Sequence, residues 1–186
     1  MASIFGHALA AASMGTLIPP KKQRLKFYLL GMLCAIFPDA DVIAFSFGIP
    51  YESLWGHRGI THSISFSLLF GLLITRLFYP KTAIQSKTGI LYSLYFAICT
   101  LSHAVLDAMT TGGLGVAFFA PIENSRYFLP WREIQVSPIG ASKFFSEWGL
   151  RVIKSELIWI GIPSLILLAL GFIRQKVWGK HAEASQ

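Results

Sequence analysis

An all-α, polytopic membrane helical bundle of about five membrane-embedded helices, with one long extracytoplasmic loop, is the fold class this sequence predicts. Three observations lead there. The 186 residues are 54% hydrophobic and only 13% charged, with a mean hydropathy of +0.57, whereas soluble domains carry roughly 25% charged residues. Several apolar runs approach the ~20 residues needed to cross a bilayer. The basic residues collect between those runs rather than along one face. A soluble helical protein of this size could not cover so much apolar surface.

Residues 3–18, rich in Ala and Gly, read as a first helix. No basic residue precedes their apolar stretch, and Lys21, Lys22, Arg24 and Lys26 follow it, the reverse of the order in a secretory signal. A second helix is predicted over 23–46, kinked at Pro38 because proline lacks an N–H and crowds the preceding turn. A loop through Pro50 follows. The third helix spans about 61–79 and stops at Pro80; the fourth spans about 88–110 and ends at Gly112, Gly113 and Gly115. Residues 111–154 form the long loop. Its aromatics Phe118, Phe119, Tyr127, Phe128, Trp131 and Trp148 suit an interfacial position, and a short amphipathic helix is expected over 141–154. The fifth helix, about 155–174, holds the cleanest apolar run. Residues 1–175 are thus expected to form one membrane-embedded domain and 176–186 a polar cytoplasmic tail.

A formal net charge of +7 invites a nucleic-acid reading, but topology accounts for it better. Lys21 to Lys26, then Arg76, Lys81 and Lys87, then Arg174, Lys176 and Lys180 fall on one side of a five-helix path and hold ten of the sixteen Lys and Arg residues. The other side mixes its bases with Glu52, Glu123, Glu133, Glu147 and Glu156. By the positive-inside rule the clusters face the cytoplasm, the N-terminus faces out and the C-terminus in. The expected partners are therefore the bilayer and its lipids, not nucleic acid. Cys34 and Cys99 lie mid-helix and read as buried free thiols, with neither a zinc-type pair nor a disulfide framework.

Acids and imidazoles sit where they are expensive: Asp39 and Asp41 in "PDADVI", His57 and His62 in "HRGITH", and His103 and Asp107 in "SHAVLDAMTTGG". Such groups in apolar surroundings need a partner, a water cavity or a metal, and Asp with His suits a hard or borderline divalent ion. His103 and Asp107, four apart, share one helical face. A kink at Pro38 lets Asp39 and Asp41 both turn inward, and Gly59 lets the backbone bend so that His57 and His62 converge. Counting ~1.5 Å per residue from the basic side puts the Asp pair and the His103–Asp107 pair roughly 20–27 Å up, at one depth near the outer leaflet. His7 reaches that depth from the first helix as a further candidate ligand. Arg58 is a candidate clamp for an anion, since its planar fork matches phosphate or carboxylate. Thr61, Ser63, Ser102, Thr110 and Thr111 read as packing or ligand-supporting groups, and His181 in the tail is assigned nothing. No GxSxG, HExxH or P-loop pattern occurs.

At these three motifs the chain resembles the YdjM-like family of inner-membrane metal-dependent hydrolases linked to the LexA regulon and the SOS response, over about residues 1–175. That family is similar, distantly, to the zinc-dependent phospholipase C and single-strand nuclease superfamily. The resemblance implies a divalent-metal site, zinc being expected, with an HxxxD pair on His103 and Asp107, a central Asp on Asp39 or Asp41, a further ligand on His57 or His62, and the N-terminal His on His7. With five histidines in all and no second His-rich helix after Asp107, one or two ions are expected rather than three. The implied reaction is hydrolysis of a lipid or lipid-linked phosphoester by metal-activated water, with His57 as ligand or acid–base group and Arg58 steadying the anion. Two other classes share the residues: a proton or metal-ion transporter, against which no inverted repeat is visible, and a non-catalytic membrane protein with a structural metal.

Overall fold

The computed structural model describes residues 1–18, 23–138 and 141–184. Lys21 and Lys22, and the side chains of Lys180 and His181, lie outside the described residues. Among the described residues the regular structure is all helical, without a strand: α1 (Ile4–Gly15), α2 (Arg24–Ile36), α3 (Ile64–Phe78), α4 (Lys87–Ala108), a single turn α5 (Ala141–Phe144), α6 (Glu147–Glu156) and α7 (Ile162–Ala184). Serine starts three of them. Ser3, Ser63 and Ser86 each accept the backbone N–H three residues on, satisfying a donor that the first turn leaves free.

Three stretches are long and apolar enough to cross a membrane: Arg24–Phe47, Lys87–Ala108 and Glu147–Val177. α1 and α3 are apolar but shorter, 12 and 15 residues, or about 18 and 22 Å at 1.5 Å per residue. Outward-facing Leu25, Leu29, Leu68, Leu72, Leu165 and Phe172 are exposed, as expected of faces that meet lipid rather than water.

Inside, α3 lies against α4 so closely that a Cβ on Gly71 would come within 2.5 Å of the Ala97 nitrogen and the Ser93 carbonyl oxygen. A glycine is what permits that approach. Phe27 of α2 stacks on Tyr95 of α4 at 4.2 Å, and around them Ala11, Leu30, Cys34, Phe96 and Cys99 form the main core. Both cysteines are buried and free.

Two helices depart from their predicted form. The second does not merely kink at Pro38. It tightens into a 3₁₀ helix over Phe37–Phe47, far beyond the 3–4 residues such helices usually run. The amphipathic helix expected over 141–154 and the last span expected from about 155 are not separate: a π-turn, Leu157–Gly161, joins α6 to α7. Pro163 follows directly; it has no N–H for the Trp159 carbonyl and its ring would crowd it, which a widened turn relieves. α7 also runs on to Ala184, since Gln, Lys, Ala and Glu dominate what was predicted as a tail and all favour helix.

The long loop is organised by backbone bonds, not loose. Val116 and Tyr127 exchange N–H donors at 2.9 Å, the Ala117 N–H donates to the Arg58 carbonyl, and the Leu129 N–H donates to the Ala108 carbonyl. These bonds fold residues 110–138 back over the segment carrying His57 and His62.

Candidate metal centre

The 3₁₀ helix sets the centre's layout. With three residues per turn, each step rotates about 120°, so Asp39 and Asp41 point in different directions instead of converging. Asp39, buried, faces His103, whose Nε2 is 3.3 Å from Asp39 Oδ1. Asp41 turns to the HRGITH segment. There it accepts hydrogen bonds from the Arg58 backbone N–H at 3.1 Å and the Thr61 hydroxyl at 2.7 Å, and pairs with His57 Nδ1 at 2.7 Å and His62 Nδ1 at 3.2 Å.

Ligand atoms of Asp39, His62, His103 and Asp107 lie within 4.8 Å of one another, and so do those of Asp41, His57 and His62. His62 belongs to both groups, one ring nitrogen in each. Its Nε2 is 3.7 Å from Asp107 Oδ2 and 4.0 Å from Asp39 Oδ1, while its Nδ1 faces Asp41. His7 stacks on His103 with ring centres 3.8 Å apart, its Nε2 3.5 Å from Asp107 Oδ1. All six sequence-predicted acids and imidazoles in the three motifs are thus brought together, with His7 beside them.

Tautomers follow from the partners. His103 Nδ1 is 2.7 Å from the Ala35 carbonyl oxygen, which can only accept, so Nδ1 carries the proton and Nε2 points inward. His62 Nδ1 lies between the Asp41 carboxylate and Thr61 Oγ1, which fixes its proton on the same side. Two inward Nε2 atoms therefore face two carboxylates in the buried interior. Among the described residues eight buried side-chain atoms lack a hydrogen-bond partner, and six belong here: His7 Nδ1 and Nε2, both Asp39 oxygens, His62 Nε2 and His103 Nε2. Lone pairs and anions gathered without donors repel unless protons or a cation lie between them. The donor set suits a divalent ion, so this buried Asp/His cluster could hold a metal.

Protons can take that role in the ion's absence. Burial pulls the His62 imidazole down, but Asp107 and Asp41 more than offset it and raise its pKa to about 9.

Arg58 lies elsewhere than a clamp for an incoming anion requires. It is fully buried in left-handed backbone at φ 62°. Its Nε donates to Asp107 Oδ2 at 2.9 Å, one terminal nitrogen to the Gly112 carbonyl at 3.0 Å and the other to Thr110 Oγ1 at 3.1 Å. Its guanidinium holds Asp107 and the loop end of α4 together. Asp107 Oδ1 accepts the Ala2 N–H at 2.8 Å.

Three supports escaped the sequence reading. Arg126 binds the carbonyls of His57, Tyr51 and Ser53 at 2.7, 2.8 and 3.0 Å, closing the loop that presents His57. Glu156, counted as an outer-side charge, is buried and takes both the Ser3 hydroxyl, at 2.5 Å, and the Ser3 N–H, which anchors the start of α1. The Ala2 backbone is the third. Glu156 carried a signal, being an acid at the head of an apolar run; a backbone N–H carries none.

The sequence profile of the YdjM inner membrane protein family matches residues 1–178. Inner membrane protein YbcI of Escherichia coli (strain K12) is 34% identical over 179 residues, covering 95% of this chain and 100% of that protein. No solved structure matches.

Proposed function

From the premise that this chain belongs to the YdjM inner membrane protein family, we propose that it is a membrane-bound metal-dependent hydrolase acting on a phosphoester of a lipid or lipid-linked substrate. In this reading five helices are membrane-embedded, α1 and α3 reaching only part-way, and the centre lies towards the extracytoplasmic face, the orientation that the positive-inside rule favours. One observation carries the proposal: three elements deliver Asp39, His62, His103 and Asp107 with ligand atoms within 4.8 Å of one another, and no protein donor satisfies the Asp39 oxygens or the inward Nε2 atoms of His62 and His103.

Those four residues would hold the ion, zinc being the expected one, with His7 adjacent. A divalent ion in such a set supplies Lewis acidity, which acidifies water towards pKa ~7 and polarises a phosphoryl oxygen. The protein's own groups do the rest. Asp41 orients His62 through Nδ1, the arrangement by which carboxylates set ligand histidines. His57, held by Asp41 at 2.7 Å, is the group placed to take or return a proton. Arg58, donating to Asp107 Oδ2 at 2.9 Å, keeps that carboxylate aimed.

Detergent-purified protein is expected to carry bound metal, and His103→Ala, Asp107→Ala, Asp39→Ala and His62→Ala to lose it together with hydrolysis of a panel of phosphoester lipids. Metal-free wild type, or full activity in His103→Ala, would remove the reading. Metal loss in the variants without any hydrolysis would leave a structural metal, and metal uptake by vesicles without hydrolysis would leave transport.

A further inference from the structure

Asp39 has a second neighbour besides the imidazoles. A cavity of about 410 Å³ lies on its other side, walled mostly by Ile4, Phe5, Val42, Pro138, Phe144 and Phe145, with Met1, Ser3 and Ser137 completing the lining. That volume falls in the range of ligand pockets, roughly 300–1,000 Å³. Asp39 is the one ionisable side chain among the described residues lining it. It is 8% exposed, and neither carboxylate oxygen has a hydrogen-bond partner. Asp39 and Val42 are three apart in the 3₁₀ helix, so they stand on the same edge, one at the polar floor and the other along the wall.

At the mouth, Phe5 and Phe145 are 71% and 85% exposed. Large apolar rings left open are expected where the surroundings are hydrocarbon rather than water. α6 lies beside this rim, and its Arg151 sits 5.0 Å from the Trp148 ring; a Trp–Arg pair suits the level where headgroups give way to chains. The cavity thus grades from lipid-facing aromatics at its rim to an unpartnered carboxylate at the edge of the candidate metal centre.

We infer that this cavity takes the hydrocarbon chain of the substrate, leaving the phosphoester beside Asp39. The inference rests on the hydrolase reading and deepens it: the substrate is an amphiphile whose chain is recognised by the protein. Besides Asp39, the cavity's polar side chains are Ser3 and Ser137, whose hydroxyls already donate to Glu156 and to the Pro138 carbonyl, so a polar headgroup would find few partners there. A wholly soluble phosphoester would leave the cavity unfilled.

The test uses full-length protein in phosphatidylethanolamine–phosphatidylglycerol vesicles and a long-chain alkyl phosphonate bearing a photoreactive diazirine on its chain. Adducts are expected to concentrate at Phe5, Val42, Phe144 and Phe145. Val42→Trp, which narrows the cavity, is expected to lower them by roughly tenfold while leaving the metal content unchanged. The wild-type map decides the matter even where that variant folds poorly. Adducts spread evenly over lipid-facing Leu68, Leu69 and Leu72 would overturn the inference, as would equal labelling by a neutral alcohol with the same chain. Metal analysis and hydrolysis on the same preparation keep the two readings apart. Concentrated adducts on metal-free, inactive protein uphold the chain site and reject hydrolysis, whereas metal and hydrolysis with dispersed adducts reject only the chain site.

Discussion

Asp41 accepts from, or pairs with, four groups of the HRGITH segment, so its contribution is orientation. Asp41→Asn replaces one of its two acceptor oxygens with a donor, and His62 loses the group that fixes its proton on Nδ1. Metal affinity should fall by about 10–100-fold, as for other groups supporting a ligand histidine, while Asp39→Asn, at a direct ligand, should abolish binding. Titration against a competing chelator separates the two; equal losses would make Asp41 a ligand. The acidity of His62 gives a second expectation. Its pKa is raised to about 9 by Asp107 and Asp41 against the effect of burial, so the metal-free protein holds a proton there at neutral pH and an ion must displace it. Apparent affinity should therefore climb with pH, about tenfold per unit for one proton, and flatten above about 9. An affinity independent of pH below that point would contradict the placement of His62. The sequence showed which residue types gather, because His103 and Asp107 are spaced for one helical face. It could not separate Asp39 from Asp41. That distinction depends on which neighbours the two faces of the 37–47 segment meet, and Pro38 signals a break without specifying which form it takes. Arg58 was legible in type, as a planar cation, but not in target, since its partners Gly112 and Thr110 lie more than fifty positions away.

At the scale of elements, α3 and α4 depend on contact without a side chain between them. Gly71→Ala would put a carbon 2.5 Å from two backbone atoms of α4, and neither can move without its helix. A loss of about 1–3 kcal/mol is expected, the usual result of overpacking, read as a lower thermal midpoint in detergent. Gly161→Ala is the matched control: its nearest neighbours would be 3.6 and 3.9 Å away, ordinary contact, so the midpoint should stay close to wild type. Similar drops for both would mean that helix–helix distance is not what Gly71 sets. Helix existence was legible from apolar runs and prolines, which act locally; the caps at Ser3, Ser63 and Ser86 were not read. Helix joins were not. The π-turn before Pro163 keeps α6 and α7 continuous because widening one turn relieves proline's clash with less disruption than ending the helix, and the sequence offers both outcomes equally.

For the whole molecule, the candidate centre and the lysines Lys26, Lys81 and Lys87 occupy opposite ends of α4. Lys87 begins that helix, and His103 and Asp107 lie in its last two turns. Lys26 of α2 donates to the Phe78 carbonyl at 2.5 Å and sits 4.7 Å from the Tyr79 ring, so the start of α2 meets the end of α3 near Lys81. The long loop, with Arg126 closing over His57, gathers at the other end. Lys and Arg are retained on the cytoplasmic side of inner-membrane proteins, so the loop and centre should face outward. Lys81→Cys and Asn124→Cys test this, since both positions are exposed, and Cys34 and Cys99 are buried and should stay silent. A membrane-impermeant maleimide should label Asn124→Cys in spheroplasts, and Lys81→Cys only once the membrane is opened. The reverse pattern would put the centre on the cytoplasmic side. The chain cavity beside Asp39 would then draw amphiphiles from the inner leaflet instead of the outer, and the phosphoesters worth testing would change with it.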